Sequence, residues 1–213
     1  DISNPASPNP IQQATDGLLG FDELNGAYGV ETVTIDARTY AIVASKGDNA
    51  VQIIDVSNPY NIVAGGALTD NAFLALQDPE GVDTFTVDAS TYAIVTSFAD
   101  DGVQIIDVSD PTNISATISL TDDPSLMLDG AWGIRTFTIG SSIYAIVTAV
   151  EDNGVQIIEL SSTTGVSVVT SKIVDLPPES LSLTDFVPLP FVNYRLTVNL
   201  LEFVSLEGVS IIP

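Results

Sequence analysis

Apolar and polar residues alternate along much of this chain with a period of two, and the alternation recurs. In Val82-Asp83-Thr84-Phe85-Thr86-Val87 the alternation puts apolar side chains on one face of an extended strand. Residues 92–96 and 103–108 are nearly continuous β-branched runs, the pattern of strands covered on both faces, and 62–68 is a short run expected to be the first strand of the same repeat. Turn formers separate these segments: Asp88-Ala89-Ser90, Asp100-Asp101-Gly102 and Ser109-Asp110-Pro111. No gap between strands is long enough for a crossover helix, so neighbours are expected to pair antiparallel.

The same grammar appears three times. Tyr40-Ala41-Ile42-Val43, Tyr92-Ala93-Ile94-Val95 and Tyr144-Ala145-Ile146-Val147 recur at a spacing of 52. Val51-Gln52-Ile53-Ile54, Val103-Gln104-Ile105-Ile106 and Val155-Gln156-Ile157-Ile158 keep that step, as do Gly29, Gly81 and Gly133. The expected fold is all-β: tandem four-stranded antiparallel blades, β-propeller-like, with three complete repeats of period 52 and a C-terminal β-strand extension. Residues 166–176 read as the first strand of a fourth repeat. Closed propellers have about four to eight blades, so three leave open edges that other blades or another subunit must cover. Asp1-Ile2-Ser3-Asn4-Pro5 resembles Asp55-Val56-Ser57-Asn58-Pro59, a start in mid-motif that is expected of a processed or partly observed polypeptide.

These motifs carry a family resemblance. Val51-Gln52-Ile53-Ile54-Asp55-Val56-Ser57-Asn58-Pro59, with the Tyr-Ala-Ile-Val runs, resembles the LVIVD repeat of secreted and surface-anchored proteins. The resemblance covers about residues 1–176. It implies a β-propeller and supplies no catalytic residue. A second likeness lies in Glu179-Ser180-Leu181-Ser182-Leu183-Thr184-Asp185, which is similar to Ser/Leu/Asp-rich repeats of large archaeal surface proteins.

Three regions follow: the repeats over 1–176, a connector over 177–190 carrying Pro177, Pro178, Pro188 and Pro190, and an apolar strand segment over 191–213. In the last, Tyr194, Leu196, Val198, Leu200 and Phe203 mark a strand that either caps the final blade or is donated to the next molecule.

Composition narrows the function. The 213 residues hold 5 Lys+Arg against 28 Asp+Glu, a net charge of -23, with no His and no Cys. That removes His-based general bases, thiolate nucleophiles, Cys/His zinc sites and disulfides. So few cations cannot neutralise a phosphate backbone or dock on an anionic bilayer, and no apolar run is long enough to span one. Mean hydropathy of +0.35 argues for a folded core rather than disorder.

Candidate sites follow from the repeat. The loops before each column glycine are apolar and contain Phe21 and Leu24, then Phe73, Leu74 and Leu76, then Leu126 and Met127; at their ends the column Tyr28, Glu80, Trp132 varies. Such loops are expected either to form a sticky face for a glycan or protein, or to tuck their leucines between blades. Asp48, Asp100, Asp101, Glu151 and Asp152 sit in recurrent acidic hairpins, where they serve either as Ca²⁺ ligands or as turn formers. Asn113 heads a glycosylation sequon, Asn113-Ile114-Ser115. No other cofactor is expected. The functional expectation is a non-enzymatic extracellular or cell-surface structural protein that polymerises with itself into a filament, sheath or surface layer. The competing expectation is a piece of a larger closed propeller that binds a glycan or surface protein.

Overall fold

A computed structural model describes residues 6–161 and 167–172, and within them the chain is all-β: twelve strands and no helix. They form three separate four-stranded sheets, each in simple chain order and with every neighbouring pair antiparallel. Sheet 1 holds β1 Ala27–Ile35, β2 Arg38–Ser45, β3 Ala50–Asp55 and β4 Val63–Thr69. Sheet 2 holds β5 Pro79–Val87, β6 Ser90–Ser97, β7 Gly102–Asp107 and β8 Ser115–Thr121. Sheet 3 holds β9 Ala131–Ile139, β10 Ser142–Ala149, β11 Gly154–Ser161 and β12 Ser167–Lys172. Register repeats as well: Tyr40 faces Asp55, Tyr92 faces Asp107 and Tyr144 faces Glu159.

Two strand assignments change. The run 62–68 was expected to open the second repeat, but β4 pairs with β3 and completes sheet 1. Likewise β12, within the run expected to begin a fourth repeat, pairs with β11 and completes sheet 3. The cause is loop length: β3 and β4 are joined through the short Asx turns at Asp55 and Asn58, whereas β4 leads into the longer, leucine-bearing loop 70–78.

The sheets pack face to face in sequence. Ile42, Ala44, Val51 and Ile53 of sheet 1 meet Val82, Ala93, Val95 and Ile106 of sheet 2. The opposite face of sheet 2, with Phe85, Ile94, Val103 and Ile105, meets Ile134, Ala145, Val147 and Ile158 of sheet 3. A smaller cluster, Phe21 with Ala41, Val43 and Ile54, covers the outer face of sheet 1. The strand nearest the next sheet is always the first of its sheet, so β1 packs on β5 and β5 on β9. The column glycines permit this. A Cβ on Gly29 would collide with the Glu80 carbonyl, and one on Gly81 with that of Trp132.

Candidate functional site

β1, β5 and β9 draw together, and a cavity of about 480 Å³ opens between β1 and β9, lined among others by Tyr28, Val30, Glu80, Trp132, Arg135 and Thr148. The variable column of the sequence is therefore one place in space. Tyr28 and Trp132 meet edge to face at 5.9 Å between ring centroids, and Phe98 meets the other side of Trp132 at 5.6 Å. Tyr28 is 55% exposed and Trp132 36%, enough to present ring surface to a ligand.

Two of the chain's few cations stand here. Lys46 Nζ donates to Glu80 Oε1 at 2.6 Å, lies 3.4 Å from Asp78 and sits 5.4 Å from the Phe98 centroid. The hydrogen bond that Lys46 donates to Glu80 raises the Lys46 pKa, against the opposing effect of burial. The Glu80 side chain is fully buried, and its Oε2 has no hydrogen-bond partner. Arg135 reaches Glu31 at 3.4 Å and Asp83 at 3.9 Å, tying sheet 3 to both other sheets. Asp83 in turn accepts from the Thr136 amide at 2.6 Å. Among the described residues, Glu80 is the one carboxylate lining the cavity.

The apolar loops resolve mostly into packing. Phe21, Leu76 and Leu126 are buried between or beside sheets, and Leu24 and Leu74 pack half-buried against the same clusters. Most of these side chains turn inward, against sheet 1 in the first loop and into the gap between two sheets in the others, while Leu18 and Leu19 of the first loop stay exposed. Met127 lies against Gly154, and its amide donates to Gln156 Oε1 at 3.0 Å. Phe73 also stands out, 90% exposed at a tip held by an Asx turn from Asn71.

The acidic hairpins act as latches. Asp48, Asp100 and Asp152 accept the amides of Asn25, Gln77 and Asp129 at 2.8, 2.8 and 3.1 Å, each holding the loop that leads into its own sheet. One residue later, Asn49 and Asp101 accept Asp78 and Gly130 amides at 2.9 Å, each in the next sheet. Asn49, Asp101 and Asn153 all take the left-handed backbone that such a turn needs. Asp129 has its pKa raised, by burial first and then by Asp101, Glu151 and Asp152. No group of three or more His, Cys, Asp or Glu suited to a metal forms among the described residues. Two buried glutamines clip their loops from inside: Gln104 donates to the Ile105 and Ile118 carbonyls and accepts the Ala75 amide at 3.1 Å, and Gln156 accepts the Met127 amide.

Asn113 is exposed in the turn after Pro111, its amide bonded to the Asp110 carbonyl at 3.0 Å. Tyr194, Leu196, Val198, Leu200 and Phe203 lie outside the described residues, as does the connector 177–190. Lys46, Phe98, Glu31, Asp83 and Arg135 were not anticipated. The fold defines a class, an array of consecutive antiparallel four-stranded sheets whose first strands converge on a shared cavity. No protein-family model matches the chain, and no curated protein sequence matches it either.

Proposed function

We propose that this chain is a non-catalytic extracellular structural protein that assembles with itself, its sheets acting as β-propeller blades of the LVIVD kind. One observation carries the reading. Positions fully buried in sheets 1 and 2 are uncovered in sheet 3: Ile42 and Ile94 are 0% exposed, whereas Ile146 in the same column is half-buried. Val51 and Val103, and Ile53 and Ile105, contrast with Val155 and Ile157 in the same way. An apolar sheet face of this kind requires a cover. Blades packed face to face, with first strands innermost around a cavity, are the arrangement of a propeller, and about four or more are needed to close one.

The test is the molar mass of the purified chain by light scattering in high salt, with and without Ca²⁺. Assemblies of two or more copies are expected. A monomer under all conditions would overturn the assembly reading. It would leave the second one, ligand binding at the Tyr28, Phe98 and Trp132 rings, which rests on their exposed edges beside the buried Glu80 carboxylate.

A further inference from the structure

The two existing sheet-to-sheet contacts show what covers an open end. At each, the column glycine abuts a carbonyl of the next sheet: Gly29 against Glu80, Gly81 against Trp132. At each, a hairpin residue accepts a next-sheet amide: Asn49 from Asp78, Asp101 from Gly130. At each, the residue after the incoming strand's column glycine is buried: Val82, 4% exposed, and Ile134, 7%. At the second contact Thr96 Oγ1 also donates to the Trp132 carbonyl at 2.5 Å.

Sheet 3 carries this set on its outgoing face without a receiver among the described residues. Gly133 keeps the column glycine, yet the nearest atom to a Cβ there would be its own neighbour's Thr148 Oγ1 at 3.1 Å. Thr148 holds the Gly133 amide at 2.9 Å, as Thr96 holds that of Gly81 at 2.7 Å, but is exposed where Thr96 is buried. Asn153 has the left-handed turn of Asn49 and Asp101, and no described next-sheet amide reaches it.

Sheet 1 carries part of the matching set on its incoming side, where the Phe21 segment already covers Ala41, Val43 and Ile54 and leaves Val30 of the first strand open. Val30, equivalent to Val82 and Ile134, is 63% exposed. Gly26 takes the same left-handed backbone, φ 66°, as Asp78 at 53° and Gly130 at 67°. Leu24 stands where Leu76 and Leu128 stand in the other lead-in loops, but is only partly buried where both of those are fully buried.

We infer that the outgoing face of sheet 3 receives sheet 1 of a second copy of this chain, head to tail. The Tyr28 carbonyl of the second copy then meets Gly133, its Gly26 amide meets Asn153, and its Val30 enters the pocket formed by Ile146, Val155 and Ile157. The inference rests on the assembly reading and gives it a direction. A second copy is favoured over residues 173–213 because neither Tyr-Ala-Ile-Val nor Val-Gln-Ile-Ile recurs there. The contact is heterologous, since the two faces differ, so it closes only if the rotation permits. Two copies bring six sheets, within the range of about four to eight that closes a propeller.

The experiment compares the full-length chain with Val30→Asp, Gly133→Val and Thr148→Glu by light scattering and analytical ultracentrifugation at high salt, with far-UV circular dichroism as the folding control. Wild type is expected to associate, and each variant to weaken association at least tenfold while keeping its β spectrum. Thr148→Glu serves if Gly133→Val fails to fold, because Thr148 is exposed. Mixing Val30→Asp with Gly133→Val leaves one intact contact between the two chains and should restore a 1:1 pair, weaker than wild type. If wild type associates but these variants do so equally well, the head-to-tail contact is overturned while assembly stands. If wild type stays monomeric, both fall.

Discussion

Single residues hold these sheets together through a few repeated polar contacts, and the unmatched members are where stability should respond. Asp70 is one: its Oδ1 is buried without a partner, and its pKa is raised, chiefly by burial and then by the Asp100 charge. A carboxyl whose pKa is raised on folding holds its proton more tightly in the native state. Its charged form therefore costs stability at neutral pH, and that cost disappears as pH falls through the folded pKa. Asp55 behaves oppositely, its pKa lowered by Ser57 and then Arg38, so its contribution is present near neutrality and lost on acidification. Asp70→Asn should raise the thermal midpoint at pH 7 by a few degrees, with the gain shrinking as pH falls through the carboxylate range. Scanning calorimetry across that range checks it; a lowered midpoint at pH 7 would contradict the assignment. Several of these residues were legible in the chain. Asn49, Asp101 and Asn153 announce their turns because few side chains tolerate a left-handed backbone. Tyr28, Glu80 and Trp132 were readable as one column because a repeat places them at one strand position. Lys46, Phe98 and Arg135 were not, since their partners come from other repeats, and no local pattern records which side chains meet across a gap.

At the scale of strands, composition announced nearly every element and misplaced the ends of the sheets. A periodic sequence has no phase. The run 62–68 follows the motif of one repeat and precedes that of the next, so only pairing with β3 assigns it to sheet 1. The same ambiguity made 166–176 look like the start of something further, whereas β12 finishes sheet 3. Burial then differs between strands of near-identical sequence, which gives a direct comparison. Ile94 in β6 is fully buried and Ile146 in β10 is half-buried, although both sit in a Tyr-Ala-Ile-Val motif. Ile94→Ala should cost about 3 kcal/mol through lost transfer energy and a cavity, and Ile146→Ala about 1 kcal/mol or less. Urea denaturation of dilute, unassociated protein measures both. Equal losses would mean that the sheet 3 face is already covered within one chain.

For the whole molecule, the acidity and the open ends belong together. A net charge of -23 makes copies repel at low ionic strength, and salt shortens that repulsion to a few ångströms. Many of the acids are accounted for one by one as turn formers and latches, Asp48, Asp100, Asp101 and Asp152 among them, rather than as a single cation-binding patch. Apolar faces then supply attraction that does not depend on charge, so association should strengthen as salt rises.

The most direct measurement is site-resolved hydroxyl-radical labelling of Val30, Ile146 and Ile157 as the chain is diluted in high salt. If sheet 3 of one copy receives sheet 1 of the next, all three should be protected at high concentration and become reactive together on dilution, while Phe73 stays reactive throughout. Labelling of Val30 and Ile146 that does not change with concentration would contradict the assembly.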